Sequence, residues 1–412
     1  MTSEMVRVGG GKRDGWVRLL TLFSLATFIE VIVYGQLGAF TPLYLPQLGI
    51  PTEAVAQWTG LIAGLTSGLG IPFLPLWGAL ADRYRRQTVI VRSSIALLTA
   101  LVLMRLAGNI WTFVLGRSVT SLAWGNTGLM MTTLSERAPR QRLGLAFAIL
   151  NGAGPVGAFL GPLLGGPIVD RWGFPALLLV DAALIGLVVV MLTLGYHDPY
   201  GGVATGSVLR MSAEAVTVTW RSPQLRALFP ALFLLLSGWM MVTAYAPLVV
   251  TALYQGADVG TVVGWVIGLG GLTSLALSPV IGALADRYGH WRVLLIGAAL
   301  TIVLWPLPGL TRSLAGFTVA WAVLNGVASG VFALSFTVLA GAVAPDIRGR
   351  VMAFAYLPMN VGGLLGPALG SLVTRLSIFA IFPTAALLTA LGLAALVVAS
   401  RRAIDPLAQL EA

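Results

Sequence analysis

Gly78-Ala79-Leu80-Ala81-Asp82-Arg83-Tyr84 recurs letter for letter as Gly282-Ala283-Leu284-Ala285-Asp286-Arg287-Tyr288, 204 residues later in a chain of 412. In both places a long apolar run ends at the heptapeptide and another begins a few residues beyond it. A second pair keeps the register. Gly157-x-x-x-Gly161-Pro162-x-x-Gly165-Gly166 returns as Gly362-x-x-x-Gly366-Pro367-x-x-Gly370-Ser371, offset by 205. Self-similarity at half the chain length means two similar halves in tandem.

Composition places those halves in a bilayer. Hydrophobic residues make up 57% of the sequence and charged residues 10%, against roughly 25% charged in a soluble domain; the mean hydropathy is +0.90. Apolar runs near 20 residues, enough to cross about 30 Å of hydrocarbon, recur throughout. The first (about 17–40) is too long for a signal-peptide core and is followed by no small-residue cleavage site, so it reads as a retained span.

Twelve spans are expected, at about 17–42, 57–78, 88–107, 111–134, 143–168, 175–195, 227–252, 261–282, 292–311, 314–342, 350–375 and 378–399. Lysine occurs once, at Lys12, so the net charge of +10 is almost all arginine, and it falls in the short connections. If the N-terminus is cytoplasmic, the outside keeps only Arg105, Arg171, Arg312 and Arg375. That bias puts both termini in the cytoplasm; it is a topology signal, and a nucleic-acid patch would instead cluster on one face. Six spans per half, an even number, make the halves parallel repeats about an axis along the membrane normal. The expected organisation is an N-terminal six-helix bundle (1–195), a cytoplasmic linker (196–226) and a C-terminal bundle (227–412). Within the linker, 208–220 is either a short interfacial helix or irregular chain.

Cysteine is absent and the only histidines, His197 and His290, lie in expected loops. Nothing points to a metal or another cofactor, and no nucleophile constellation sits at membrane depth, so an intramembrane enzyme is disfavoured.

In the heptapeptide, Gly78 and Asp82 share one helical face. The glycine permits close helix contact, and the carboxylate can satisfy the N-terminus of a neighbouring helix; Arg83, Arg85 and Arg86 then lie at the headgroups or pair with acids. In the fifth span, Gly157, Gly161, Pro162, Gly165 and Gly166 strip side chains from the helix and weaken its backbone ladder. Such a helix can pack closely and bend, or simply pack as small-residue helices do.

Charges within spans are costly and usually functional. Three stand out: Glu30, Arg117 and Asp181. Around Glu30, the residues Thr27, Tyr34, Gly38 and Thr41 recur at helical spacing and form one polar stripe. A carboxyl there can sit protonated in an apolar site, or ionised beside a cationic substrate or Arg117. That competition suffices for antiport; the alternative is a permanent Glu30–Arg117 pair joining two helices. Asp181 is either a second proton site or a group bonded to a neighbouring helix.

The heptapeptide with its following arginines, repeated in the second half, resembles the signature of the major facilitator superfamily, and the resemblance spans nearly the whole chain. It implies an all-α integral membrane fold: 12 transmembrane helices in two parallel-repeat six-helix bundles around a central cavity, working by alternating access. It further implies that Asp82 caps the eleventh helix near Arg350, and that Asp286, with Gly282 and Arg287, does likewise at the fifth. Arg85 stands where the family's first copy carries glycine, and His290-Trp291 where the second carries basic residues. The fifth-span glycines resemble the antiporter motif of drug:proton antiporters, echoed at Gly366-Pro367. Gly116-Arg117 resembles the family's G-R pair, whose arginine is associated with proton coupling. Cavity walls are implied from spans one, four, seven and ten: Thr27 and Tyr34, then Trp124 and Met131, Trp239, Met240 and Thr243, and Asn325, Ser329 and Phe332. Methionine and aromatics suit varied lipophilic and cationic ligands.

The expectation is a monomeric, proton-coupled exporter of lipophilic or cationic small molecules in a bacterial plasma (inner) membrane. Its partners would be those molecules, protons and the bilayer. A lipid or glycolipid exporter, or a nutrient uniporter or symporter, would share the fold. A non-transporting sensor would normally need a soluble domain, for which the spans leave no stretch.

Overall fold

The computed structural model describes residues 11–73, 80, 84–123, 126–198, 223–341 and 357–404. Every regular element among them is helical. Ten helices are long and apolar enough to cross a membrane. They account for spans one to three, five to ten and twelve. Span four is described in three pieces, Ile110–Val119, Thr120–Ala123 and Asn126–Arg137, and span eleven as Leu357–Val373.

Local chemistry explains the interruptions. Asn109 starts span four by accepting a bond from the Thr112 amide at 3.0 Å, the usual role of an N-cap side chain. Just after Arg117 the helix tightens into a 3-10 turn, where the hydroxyls of Thr120 and Ser121 bond the carbonyls of Arg117 and Ser118, each at 2.6 Å. Such back-bonding competes with the regular ladder and bends it. Gly173, at φ 78°, makes the sharp turn between spans five (Leu143–Trp172) and six (Phe174–Gly195). The repeat is not uniform at its loops. Gly289, after the second heptapeptide, sits at φ 97°, a region that favours glycine; Arg85, its counterpart, sits at φ −58° in an ordinary extended conformation. Span seven begins at Pro223 rather than near 227, so the linker gives up its last residues to the helix. The rest of that linker, including 208–220, lies outside the described residues.

Small residues hold the bundles together. A Cβ added to Gly157 would lie 2.8 Å from the Phe28 carbonyl, and one on Gly161 2.6 Å from that of Ile32. Span five therefore rides directly on the backbone of span one (Gly11–Tyr44). Gln36 fastens the crossing by donating to the Gly161 carbonyl at 3.0 Å. The second half repeats the arrangement: Gly362 and Gly366 abut the backbone of span seven (Pro223–Leu253) at Ser237.

The opposite faces of these same helices join the halves. A Cβ on Gly166 would lie 2.5 Å from the Gly260 carbonyl, and one on Gly268 2.9 Å from that of Phe159, so span five meets span eight (Val259–Tyr288). Span eleven likewise meets span two (Val55–Gly70), where a Cβ on Gly64 would lie 2.8 Å from the Leu364 carbonyl and one on Gly60 would strike the Pro367 carbonyl. Both crossings lie toward the end of the bundle that carries Asp170. Toward the heptapeptide end contact stops: Gly152 and Gly154 on span five and Gly282 on span eight have nothing within 4 Å of an added Cβ. Among the described residues, spans five and eight are therefore in backbone contact toward the Asp170 end and not at these three glycines.

Candidate functional site

At the Asp170 end, one side chain ties the halves. The Asp170 carboxylate accepts the amides of Gly260 and Thr261, each at 2.7 Å. These are free donors at the start of span eight, where the helix dipole favours an anion. At the heptapeptide end, Asp286 does not reach span five. Its side chain is 78% exposed and pairs with His290 on its own chain segment, 3.3 Å away, as i,i+4 neighbours do. Gly78, Asp82, Arg83 and Arg350, the partners expected in the first-copy contact, lie outside the described residues. Arg86 bonds Glu136 through both terminal nitrogens, at 2.6 and 2.9 Å, and its amide reaches Asp198 at 3.0 Å. That joins spans three and four to the chain leaving span six. The Arg86 bonds hold the Glu136 carboxyl below the usual carboxylate range. Arg287 lies over its neighbour Tyr288, 5.2 Å from the ring centre.

Inside, Glu30 is 6% exposed. One carboxyl oxygen accepts the Ser94 hydroxyl at 3.0 Å and the other the Asn126 amide at 2.5 Å. A buried carboxylate needs such partners, and these two tie span one to spans three and four. Arg117 is not among Glu30's partners. Tyr34, one turn along the stripe, lies within electrostatic reach of both Glu30 and Arg117. Thr27, on Glu30's other side, faces Met130 with its hydroxyl 3.7 Å from the sulfur. Ser94 and Asn126 were not legible as a pair with Glu30; the one sequence signal was an asparagine at membrane depth in span four.

Beyond Tyr34 a cavity of about 230 Å³ opens between the halves. Arg117, Thr41, Thr59, Ser67, Met240 and Thr243 are among its lining residues, so spans one, two, four and seven build it, with span eleven completing the wall. Span ten, expected to contribute, does not line it; its polar residues face its own half. Asn325 instead donates to the Trp321 carbonyl at 3.0 Å, and Ser329 shares a 3.0 Å hydroxyl contact with Ser278 of span eight. Trp239 packs against Phe332, ring centres 4.8 Å apart, within the second half. Met131 is half-buried against the core of the first half. Trp124 lies outside the described residues. Asp181 is fully buried on span six, away from this cavity, and neither of its oxygens has a partner.

The structure thus brings Glu30, Tyr34, Arg117 and Met240 along one path and leaves Asp181, Trp239 and Asn325 elsewhere.

The Major Facilitator Superfamily model matches residues 23–260 and 248–411. Curated relatives include the multidrug resistance protein MdtG of Enterobacter lignolyticus (strain SCF1), 27% identical over 372 residues covering 87% of this chain and 86% of that one. The protein of the same name from Citrobacter koseri is 26% identical over 363 residues, covering 87% and 89%. Among solved structures, the human organic anion transporter MFSD10 (TETRAN) superposes with a TM-score of 0.69 at 18% identity, over 92% of this chain and 99% of that one. The nucleoside transporter NupG gives 0.72 at 16%, over 94% and 99%. With two tandem helical bundles, a cavity between them and a family model that covers nearly its whole length, the chain is a secondary transporter of the Major Facilitator Superfamily.

Proposed function

We propose that this chain is a proton-coupled exporter of small lipophilic molecules, with Glu30 as the group that carries the proton. One observation supports this above the others. Glu30 is a buried carboxyl whose two oxygens are held by donors on two other spans. Ionised, it clamps spans one, three and four together; protonated, it loses half its acceptor capacity and the clamp loosens. A proton then chooses between two arrangements of the helices that border the substrate path. The arginine distribution supports a cytoplasmic heptapeptide end and cytoplasmic termini, so the Asp170 contact would lie at the outer side. In this structure Glu30 is engaged by its donors and Arg117 lines the cavity between the halves. The cycle then runs as substrate loading inside, release outside, proton capture by Glu30 outside, and return with release of that proton inside.

The relatives' name, multidrug resistance protein, supports export of drug-like compounds, and a bacterial inner membrane and a monomeric unit fit that reading. Asp181 would be a second proton site only if Glu30 proves dispensable. The test uses inside-out vesicles with an acid lumen and a panel of cationic, neutral and anionic lipophilic dyes. Accumulation of any dye that collapses when the gradient is dissipated supports export. Accumulation that ignores the gradient favours a uniporter, and none for the whole panel favours a lipid exporter.

A further inference from the structure

The cavity between the halves has a charge character that the sequence did not announce. Arg117 lines it, and no aspartate or glutamate does among the described residues. The Nε of Arg117 is shut off from solvent and has no hydrogen-bond partner. Thr41, only 5% exposed, lines the same space, and its hydroxyl is likewise buried without a partner. Two residues of the cavity wall thus each carry an unmatched donor that is closed to solvent, and one of the two residues is permanently cationic. Buried donors without partners are costly.

Glu30 does not relieve Arg117. Its oxygens are occupied by Ser94 and Asn126, and it does not line the cavity. The nearest polar influence on the guanidinium is the Tyr34 phenol, which brings no full negative charge. Thr59, Ser67, Thr243 and Met240 also line the space, and the Thr59 and Thr243 hydroxyls already donate to carbonyls of their own helices. At about 230 Å³ the space lies below the usual 300–1,000 Å³ of a drug-sized pocket. It suits a compact ligand or the head of a longer one.

We propose that this cavity takes the oxyanion head of an amphiphilic small molecule (a carboxylate, sulfonate or phosphonate), bound by Arg117 and Thr41, with the apolar body against Met240. The substrate class is then lipophilic anions rather than the cations expected from the sequence. This rests on the reading of the chain as an exporter. It also fits the energetics of that reading: an anion leaving while a proton enters moves charge inward twice, and an inside-negative membrane potential drives both movements.

The test measures equilibrium binding to the purified full chain, with no gradient, for three ligands of one shape: 3-phenylpropane-1-sulfonate, trimethyl(3-phenylpropyl)ammonium and 3-phenylpropan-1-ol. The sulfonate should bind the wild type at least about tenfold more tightly than the ammonium, the scale of one charge-assisted bond. Arg117→Gln should lose about tenfold for the sulfonate while binding the alcohol as before, which also shows the variant is folded. Arg117→Lys should keep part of the preference, as a point charge without the fork. Equal or tighter binding of the ammonium overturns the proposal. So does sulfonate affinity unchanged in Arg117→Gln, or no sulfonate binding by the wild type at millimolar concentration. Export itself is read by gradient-driven uptake in vesicles, so either result can fail without the other.

Discussion

Replacing Asp170 with asparagine should loosen the gate between spans five and eight. The wild-type carboxylate accepts two amides at 2.7 Å from the first turn of span eight. Asparagine retains one acceptor oxygen and loses the charge, so one bond to a charged group disappears along with the dipole interaction. A charge-assisted bond contributes about 1.5–3 kcal/mol when buried. This site is partly exposed, and screening reduces the figure to about 1–2 kcal/mol. The closed-to-open ratio should therefore fall by about 5- to 30-fold. The repeat does not supply a second such carboxylate, since the residue 205 positions on from Asp170 is Arg375, of the wrong sign for a helix N-terminus. The chain has no cysteine, so Thr59→Cys, which lines the cavity behind the gate, gives a single reporter. A membrane-impermeant maleimide applied from the Asp170 face should label it about 5- to 30-fold faster in Asp170→Asn, with Arg171→Gln as the control at an exposed neighbour. Labelling unchanged or slower in Asp170→Asn would refute the gate.

Three further outcomes follow from packing and charge. Gly161→Leu should lower thermal stability by about 1–3 kcal/mol or more through collision with the Ile32 backbone, whereas Gly154→Ala, with open space around it, should stay within about 0.5 kcal/mol; tryptophan-monitored melting in detergent distinguishes them. Asn126→Leu should cut gradient-driven transport about tenfold, because ionised Glu30 loses its shorter bond; transport within twofold of wild type would count against the clamp. The Arg86–Glu136 pair should stabilise the protein by less than about 1 kcal/mol. Because Arg86 depresses the Glu136 carboxyl, that contribution is present above the ordinary carboxylate value of about 4.3 and is lost as pH falls through the lower folded value. Melting points of wild type and Glu136→Gln should differ at pH 7 and converge near pH 3, and a gap that persists in acid would contradict the assignment.

The architecture was legible because it rests on long-period signals. Identical heptapeptides half a chain apart, together with uninterrupted apolar runs, leave little besides a tandem helical membrane fold, and the family comparison agrees. The fifth-span glycines were legible as contact residues. Which contacts they make was not, since one helix presents Gly157 and Gly161 to its own bundle and Gly166 to the other. Glu30 was conspicuous as a charge at membrane depth, but its donors Ser94 and Asn126 are common residue types separated from it by 64 and 96 positions. Asp170 was not singled out in the sequence. Its role depends on the crossing angle that brings span eight's first amides to it, which no local pattern encodes. The cavity walls were read from resemblance to a central path. In the structure spans two and eleven line the cavity and span ten does not, its Ser329 being paired with Ser278 of span eight.

Coupling through Glu30 is tested most directly by separating exchange from accumulation in the same vesicles. Wild type and Glu30→Gln are reconstituted with the best-bound ligand of the panel, and two rates are read: labelled-for-unlabelled counterflow at equal pH, and uptake driven by an acid lumen. Glu30→Gln should retain counterflow, since substrate can still cross and return, and should lose accumulation driven by the pH gradient. A variant that accumulates substrate against its gradient as the wild type does would show that the proton travels by another group.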